Sequence, residues 1–308
     1  MKWRKQGLIY SPSFEKGWRN NSALTPTPIQ LNDSIIRLYA AFRDEGGIGR
    51  IGFVDVDSNN PTNVIKISDT PVLDIGQSGM FDDNGVILGD VVRVKDKFYM
   101  YYVGFQLVKK VKFLAYSGLA ISDLEGENFV RYSETPVLDR NNEGKYIRAI
   151  HSVIYEDNKF KIWYAVGNGW ENINGVNYPQ YEINYTESDD GLHIFSGKKV
   201  IQVDKTNSEY RIGRPRVYKT NDQYIMNFTY GTSDGRYMAG QAESKDGLVW
   251  KRYDENFGIC LSKEGWDSRH LSYPCVLTTN QGKTFMFYNG NDMGRDGFGY
   301  AVLDGLIS

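Results

Sequence analysis

Cysteine and histidine are scarce in this chain. The 308 residues contain only Cys260 and Cys275 and three histidines, and neither cysteine has metal-ligand spacing. The two are read as buried reduced thiols, with a Cys260–Cys275 disulfide as the alternative. No charge excess exists either: 36 Lys plus Arg face 38 Asp plus Glu, a formal charge of −2. Nothing in the whole-chain balance therefore points to nucleic acid or an anionic membrane, and any charge preference must be local. No stretch reaches the roughly 18 apolar residues of a membrane span. The first ten residues, Met1 to Tyr10, are basic but lack a signal-like apolar run, so a cytoplasmic location is expected. No loop has the oxygen-ligand pattern of an EF-hand, and Asp55-Val56-Asp57 reads as a solvent-facing strand end. Gly46-Gly47-Ile48-Gly49 has no helix pattern after it and reads as a hairpin loop rather than a phosphate loop. Neither metal nor cofactor is expected.

What the chain has instead is aromatic residues, 14% of the total with 22 tyrosines, set in a repeated pattern. Asp82-Asp83-Asn84-Gly85 leads into the apolar run Val86 to Val94, then a Lys95-Asp96-Lys97 turn and the alternating strand Phe98 to Gly104. Four other stretches share this strand–turn–strand plan, around the turns Asn32-Asp33-Ser34, Asp157-Asn158, Asn221-Asp222 and Asn280-Gln281-Gly282. Each continues into a third strand, and three run on to an outer segment at 129–132, 193–195 or 249–253. Ser122, Ser188 and Ser244 mark a period of roughly 60 residues, which suits a four-stranded propeller blade with generous loops. The expectation is an all-β, five-bladed propeller in one domain over 1–308. Its four-stranded antiparallel blades would occupy about 22–57, 83–132, 146–195, 210–253 and 267–304 around a central channel, and 1–21 would close the ring.

Stacking the repeats makes the openings of the first strands comparable: Thr27-Pro28, Gly89-Asp90, His151-Ser152, Arg214-Pro215 and Tyr273-Pro274. Such strands line the channel of a propeller, and a channel mouth is the usual ligand site. Around these positions fall the carboxylates Asp44, Asp83, Asp90, Asp267 and Glu171. The arginines Arg43, Arg148, Arg211, Arg214 and Arg269 fall there too, with His151 and His270. Several guanidinium groups at one mouth need carboxylates or a ligand anion to answer them, so the ligand carries a carboxylate or phosphate unless an internal Arg–Asp network closes the channel. Aromatic faces suit sugars. Tyr101, Trp163, Phe228 and Phe287 alternate within middle strands and read as core, whereas the loop aromatics Trp170, Tyr178, Tyr181 and Trp266 are candidates for ligand contact.

Gly79 to Val86, Glu187-Ser188-Asp189-Asp190-Gly191, Arg214-Pro215, Glu243-Ser244-Lys245-Asp246-Gly247 and Gly265-Trp266-Asp267 carry a family resemblance. Over about residues 20–305 the chain resembles the five-bladed propellers of glycoside hydrolase families 43, 32 and 130. It is more closely similar to glycosidase-like propellers associated with bacterial surface-polysaccharide genes. The resemblance implies an Asp base or nucleophile on the first blade, with an assisting Asp and a Glu acid on later blades. Thr25 to Gln30 holds no carboxylate, Ile150 to Val153 no Glu, and Arg214-Pro215-Arg216 stands at the corresponding place in the fourth repeat. The triad therefore does not transfer residue by residue.

Three readings stay open. A glycoside hydrolase or phosphorylase would use relocated acids, Asp83 and Asp267 first and Asp44 or Glu171 second. A lyase or transferase of activated sugars would move protons through His151 or His270. A non-catalytic sugar-binding or assembly module would need only the arginines and aromatics. The expected substrate-binding residues are Arg43, Asp90, Arg148, Arg211, Arg214, Arg269, Trp170, Trp266 and Tyr273. In all three the partner is a saccharide or nucleotide-sugar, anionic in character and belonging to surface-glycan metabolism.

Overall fold

Period-two alternation and short polar turns give antiparallel strands almost throughout, and helix is limited to three 3-10 turns among the described residues. The architecture comes from a computed structural model that describes residues 2–220 and 222–304. Asn221 of the expected Asn221-Asp222 turn lies outside them, as do residues 1 and 305–308 of the expected domain. The chain opens with β1 (Trp3–Tyr10). A first four-stranded sheet follows: β2 (Ser22–Gln30), β3 (Ile35–Arg43), β4 (Gly49–Asp57) and β5 (Val64–Ile67). Next come β6 (Val86–Val94), β7 (Lys97–Gln106), β8 (Leu114–Ser122) and β9 (Val130–Arg131), then β10 (Ile147–Glu156), β11 (Lys159–Ile173), β12 (Val176–Ser188) and β13 (Lys198–Ile201). These two antiparallel meanders join into one eight-stranded sheet where β8 and β10 pair in parallel at Ala115–Ile147 and Tyr116–Arg148. A further four-stranded sheet holds β14 (Glu209–Lys219), β15 (Tyr224–Thr232), β16 (Tyr237–Ser244) and β17 (Lys251–Arg252). The last sheet is built from β18 (Ser272–Thr278), β19 (Thr284–Asn289) and β20 (Phe298–Leu303), with β1 as its fourth strand from Trp3–Leu303 to Tyr10–Phe298. No described helix is long and apolar enough to cross a membrane.

The first strands of the five meanders touch in cyclic order: β2 with β6, β6 with β10, β10 with β14, β14 with β18, and β18 with β2. Their neighbours carry the core. Tyr101, Trp163, Phe228 and Phe287, all on middle strands, are fully buried in the apolar layers between sheets.

Three local expectations are corrected. The outer strand of the third meander is Lys198–Ile201, not 193–195. Asp190 Oδ1 accepts the backbone N–H groups of Leu192 (2.8 Å) and His193 (2.9 Å), and these bonds hold that segment in a turn. Asp55 is buried rather than solvent-facing, because Arg37 crosses from the neighbouring strand and donates to both its oxygens at 2.7 Å. Cys260 is exposed, and both cysteines are free thiols.

Candidate functional site

All five first strands break register at one equivalent place. The shifts fall between Leu24 and Thr27, Leu88 and Asp90, Ile150 and Ser152, Gly213 and Arg216, and Ser272 and Cys275. A bulge adds a residue and re-aims its side chain. Here the bulged positions are Thr25, Gly89, His151, Arg214 and Tyr273. In the first repeat the comparable pair is thus Thr25-Pro26, two residues before the expected Thr27-Pro28. Thr25 (φ 58°), Arg214 (φ 52°) and Tyr273 (φ 56°) take left-handed backbone conformations, each directly before a proline. Non-glycine residues adopt that region at a cost, and such strain concentrates at functional sites. Gly89 meets a steric requirement instead: a Cβ there would lie 2.2 Å from the Ile150 carbonyl oxygen and 2.7 Å from that of Tyr101.

Four of these bulges open onto a cavity of about 350 Å³ that draws residues from every meander. Thr25, His151, Arg214 and Tyr273 line it, together with Arg43, Arg211, Lys112, Tyr237 and an apolar wall that includes Ile87, Val103, Phe105 and Phe113. No Asp or Glu is among its lining residues. Among the described residues, Arg43, Arg211 and Arg214 form no ion pair with any carboxylate.

Arg211 is 8% exposed and sits within a cage of phenol rings. Its guanidinium carbon lies 4.5 Å from the ring centroid of Tyr237, 5.1 Å from Tyr210, 5.7 Å from Tyr178 and 6.0 Å from Tyr181. Its Nε is buried without a hydrogen-bond partner. Arg214 lies 5.4 Å from the Tyr273 ring, and its Nη1 donates to the Leu88 carbonyl (2.7 Å) and contacts His151 Nδ1 (2.8 Å). Burial, with Arg216 adding to it, pushes the Arg214 pKa down to about 10, which still leaves it cationic at neutral pH. Burial and the two arginines together hold His151 well below the usual imidazole range. A neutral ring whose Nδ1 accepts from Arg214 carries its proton on Nε2, so His151 can donate but has no free lone pair for base catalysis. Tyr237 Oη donates to Tyr273 Oη at 3.0 Å, and burial raises both phenols. At neutral pH the polar groups are therefore chiefly donors and cations, matched to a ligand with acceptor oxygens and negative charge.

Of the sequence candidates, the cavity brings together Arg43, His151, Tyr178, Tyr181, Arg211, Arg214 and Tyr273. The other candidates do not line it. Asp83 accepts the Gly79 N–H (2.9 Å) within its own turn. Buried Asp267 pairs with Lys5 (2.6 Å) and accepts from Tyr288 Oη (2.9 Å). Burial would raise the Asp44 carboxyl, but Arg50 at 2.7 Å and the Ile48 N–H more than offset it and hold the pKa below the usual range. Glu171 accepts from Gln180 Nε2 (2.6 Å) on the β11–β12 arm. Asp90 is tied to Arg216 (2.6 Å) and to the Val91 and Val153 amides, beneath the bulges. Arg148 pairs with Glu143 (2.8 Å), and Arg269 with Asp292 (2.8 Å) at the surface. Trp170 packs edge-on against Phe113 (5.0 Å), and Trp266 stacks on Tyr288 (5.0 Å). His270 accepts the Asp292 N–H at 3.0 Å and lines an adjoining cavity of about 240 Å³, which shares Tyr178, Arg211, Tyr237 and Met293 with the larger one. Thr25, Lys112, Phe113 and Tyr237 were missed. The Thr25-Pro26 dipeptide was the available signal for that residue; the others enter from second and third strands and their loops.

Along its whole length the chain is similar to the uncharacterized protein Rv1502 of Mycobacterium tuberculosis (strain ATCC 25618 / H37Rv). The two are 33% identical over 304 residues, 99% of this chain and 100% of that protein. The chain belongs to the family of that protein. A family model, Glyco_hydro_130, described as β-1,4-mannooligosaccharide phosphorylase, matches residues 152–298, a span that contains Arg211, Arg214, Tyr237 and Tyr273. In three dimensions the fold of this chain is that of the glycosidase-like propellers. The chain is similar to a glycoside hydrolase with a TM-score of 0.73 at 17% identity, covering 99% of this chain and 93% of that one. It is also similar to a structure from the GH130 family of mannoside phosphorylases, which contains glycoside hydrolases that target β-1,2-mannosidic linkages in Candida mannan. The TM-score there is 0.68 at 15% identity, covering 99% and 95%.

Proposed function

We propose that the protein is a carbohydrate-active, five-bladed propeller whose central cavity binds an acidic or phosphorylated saccharide, acting in bacterial surface-glycan metabolism. The cyclic contacts of the five first strands support the ring. The carboxylate-free cavity with Arg43, Arg211 and Arg214 supports the ligand class: buried guanidinium groups without counter-charge are costly, and a carboxylate or phosphate answers them through paired hydrogen bonds. Tyrosine faces beside them suit the C–H surface of a sugar ring.

The same lining argues against hydrolysis by two carboxylates. That mechanism needs an acid and a nucleophile or base on either side of the scissile bond, about 5–9.5 Å apart. Asp83, Asp267, Asp44 and Glu171 are each engaged elsewhere, so recognition of the anionic sugar is the primary reading. Phosphorolysis is the second, favoured by the partial match to a mannooligosaccharide phosphorylase model. In it the arginines would seat inorganic phosphate as the attacking group.

Calorimetric titration tests both. Glucuronate, N-acetylneuraminate, mannose 1-phosphate and UDP-glucose are compared with mannose and glucose, in the wild type and in Arg211→Lys and Arg214→Lys. At least one anionic probe is expected to bind more tightly than its neutral counterpart and to lose about 1–3 kcal/mol in each variant, the worth of a hydrogen bond to a charged group. Equal binding of neutral and acidic sugars, unchanged by both variants, would refute the reading. Mannose 1-phosphate released from mannobiose and phosphate would move the conclusion to phosphorolysis.

A further inference from the structure

A second opening, a cleft of about 550 Å³, lies beside the central cavity on the third meander, between β11, β12, β13 and the start of β14. Its electrostatics are of the opposite kind. Glu143 in its wall is paired with Arg148 (2.8 Å), and Glu182 is paired with Lys199. The charges there are largely answered within the protein, whereas those of the central cavity are not.

One buried group in the cleft lacks a partner. Asn184 is 6% exposed and its Nδ2 donates to Glu143 Oε1 at 2.8 Å, which fixes the orientation of the amide. Its Oδ1 then has no hydrogen-bond donor. Glu143 offers no donor, since its carboxylate only accepts: Oε1 also accepts from Tyr164 Oη (2.7 Å) and the Gly197 N–H (3.1 Å), and Oε2 from Arg148 Nε (3.0 Å). A buried acceptor is costly when unpaired, and an incoming hydroxyl is the donor that suits it. Gln180 adds amide hydrogen-bonding capacity, while Tyr181 and Tyr210 line the wall nearest the central cavity and supply aromatic surface.

We propose that this cleft is a second saccharide site, distinct from the central cavity, that takes a neutral, hydroxyl-rich sugar unit, with Asn184 Oδ1 accepting one of its hydroxyls. The internal pairing of Glu143 and Glu182 rules against a second strongly anionic group there. Aromatic surface next to fixed amide and carboxylate acceptors is the chemistry of neutral sugar recognition.

Saturation-transfer NMR and calorimetry with mannose, galactose, glucose, N-acetylglucosamine and their β-linked disaccharides test it in the full chain. The wild type is expected to bind at least one of these neutral probes. Asn184→Leu should weaken that binding about five- to tenfold, the equilibrium worth of one neutral hydrogen bond. Gln180→Trp, on the arm away from the Glu143 network, should block it by filling the cleft, which guards against misfolding of the Asn184 variant. Arg214→Lys should leave it unchanged. Failure of every neutral probe to bind, or binding that survives Gln180→Trp or is lost in Arg214→Lys, overturns the proposal. The reading of the central cavity fails separately, through the acidic probes and the arginine variants.

Discussion

His151 is the residue whose environment makes the sharpest prediction. It is buried, accepts from Arg214 and has Arg216 close by, so its pKa lies well below the usual value of about 6.5. In the unfolded chain the imidazole takes up a proton below that pH, while in the folded chain it stays neutral. The unfolded state then binds more protons, and stability falls as pH drops below about 6.5 towards the depressed folded value. His270 is also shifted down by burial, so the two histidines act in the same direction. Thermal melts from pH 7.5 to 5 should show this decline, and His151→Gln, which keeps an acceptor for Arg214, should flatten it. An unchanged slope in the variant would mean that His151 is charged in the fold. The carboxylates act lower. Burial opposes ionisation of Glu156, but Lys161, Lys219 and Tyr224 outweigh it and bring the pKa to about 2, so its contribution is lost only as pH falls from the ordinary carboxylate range towards that value.

At the scale of the element, the first strands explain why the all-β plan of antiparallel meanders was legible in the sequence and the candidate site only half so. Alternation and turn residues identify strands directly, which is why Tyr101, Trp163, Phe228 and Phe287 could be assigned to the core. Arg43, His151, Arg211, Arg214 and Tyr273 were legible because the repeats align at their openings. Asp83 and Asp267 were not. Nearness to a strand in sequence does not say which way a side chain turns, and a single bulge changes the face presented. Tyr178 and Tyr181 reach the cavity from β12, which at 13 residues extends well beyond its neighbour β13 on a hairpin closed by Asn174 and Gly175, both at positive φ. Their aromatic character made both candidates for ligand contact, but nothing in the period of the repeats announces the arm that carries them. The bulge itself can be tested at Gly89, where a Cβ would collide with two backbone carbonyls that cannot rotate away. Gly89→Ala should cost about 1–3 kcal/mol, the usual range for overpacking, read as a lower urea midpoint with unchanged m-value. A neutral effect would show that β6 and β10 can separate at that point.

At the scale of the molecule, the two ends of the described chain meet in one sheet, where β1 covers the edge of β20. An unpaired edge is a template for association, and a closed ring of sheets avoids it only if the last sheet is completed. The strand is also held from the side. Lys5 reaches Asp267 at 2.6 Å and Ser262 Oγ at 2.9 Å, and Asp267 is almost wholly buried beneath Tyr288. Lys5→Met keeps the strand and much of the side-chain volume but leaves that carboxylate without its cation. Breaking a buried pair from one side costs about 3–5 kcal/mol, and a partly exposed lysine places this case at or below the lower bound. The double variant Lys5→Met/Asp267→Asn should recover most of the loss, because the uncompensated charge is then gone. Removing residues 2–10 goes further and exposes the whole β20 edge. The truncated chain should unfold at lower denaturant and form concentration-dependent oligomers on size exclusion, whereas Lys5→Met should remain of wild-type size. A truncated chain that stays the same size and keeps wild-type stability would mean that β1 is an accessory strand and that the other four meanders, with β18 to β20, hold the ring without it.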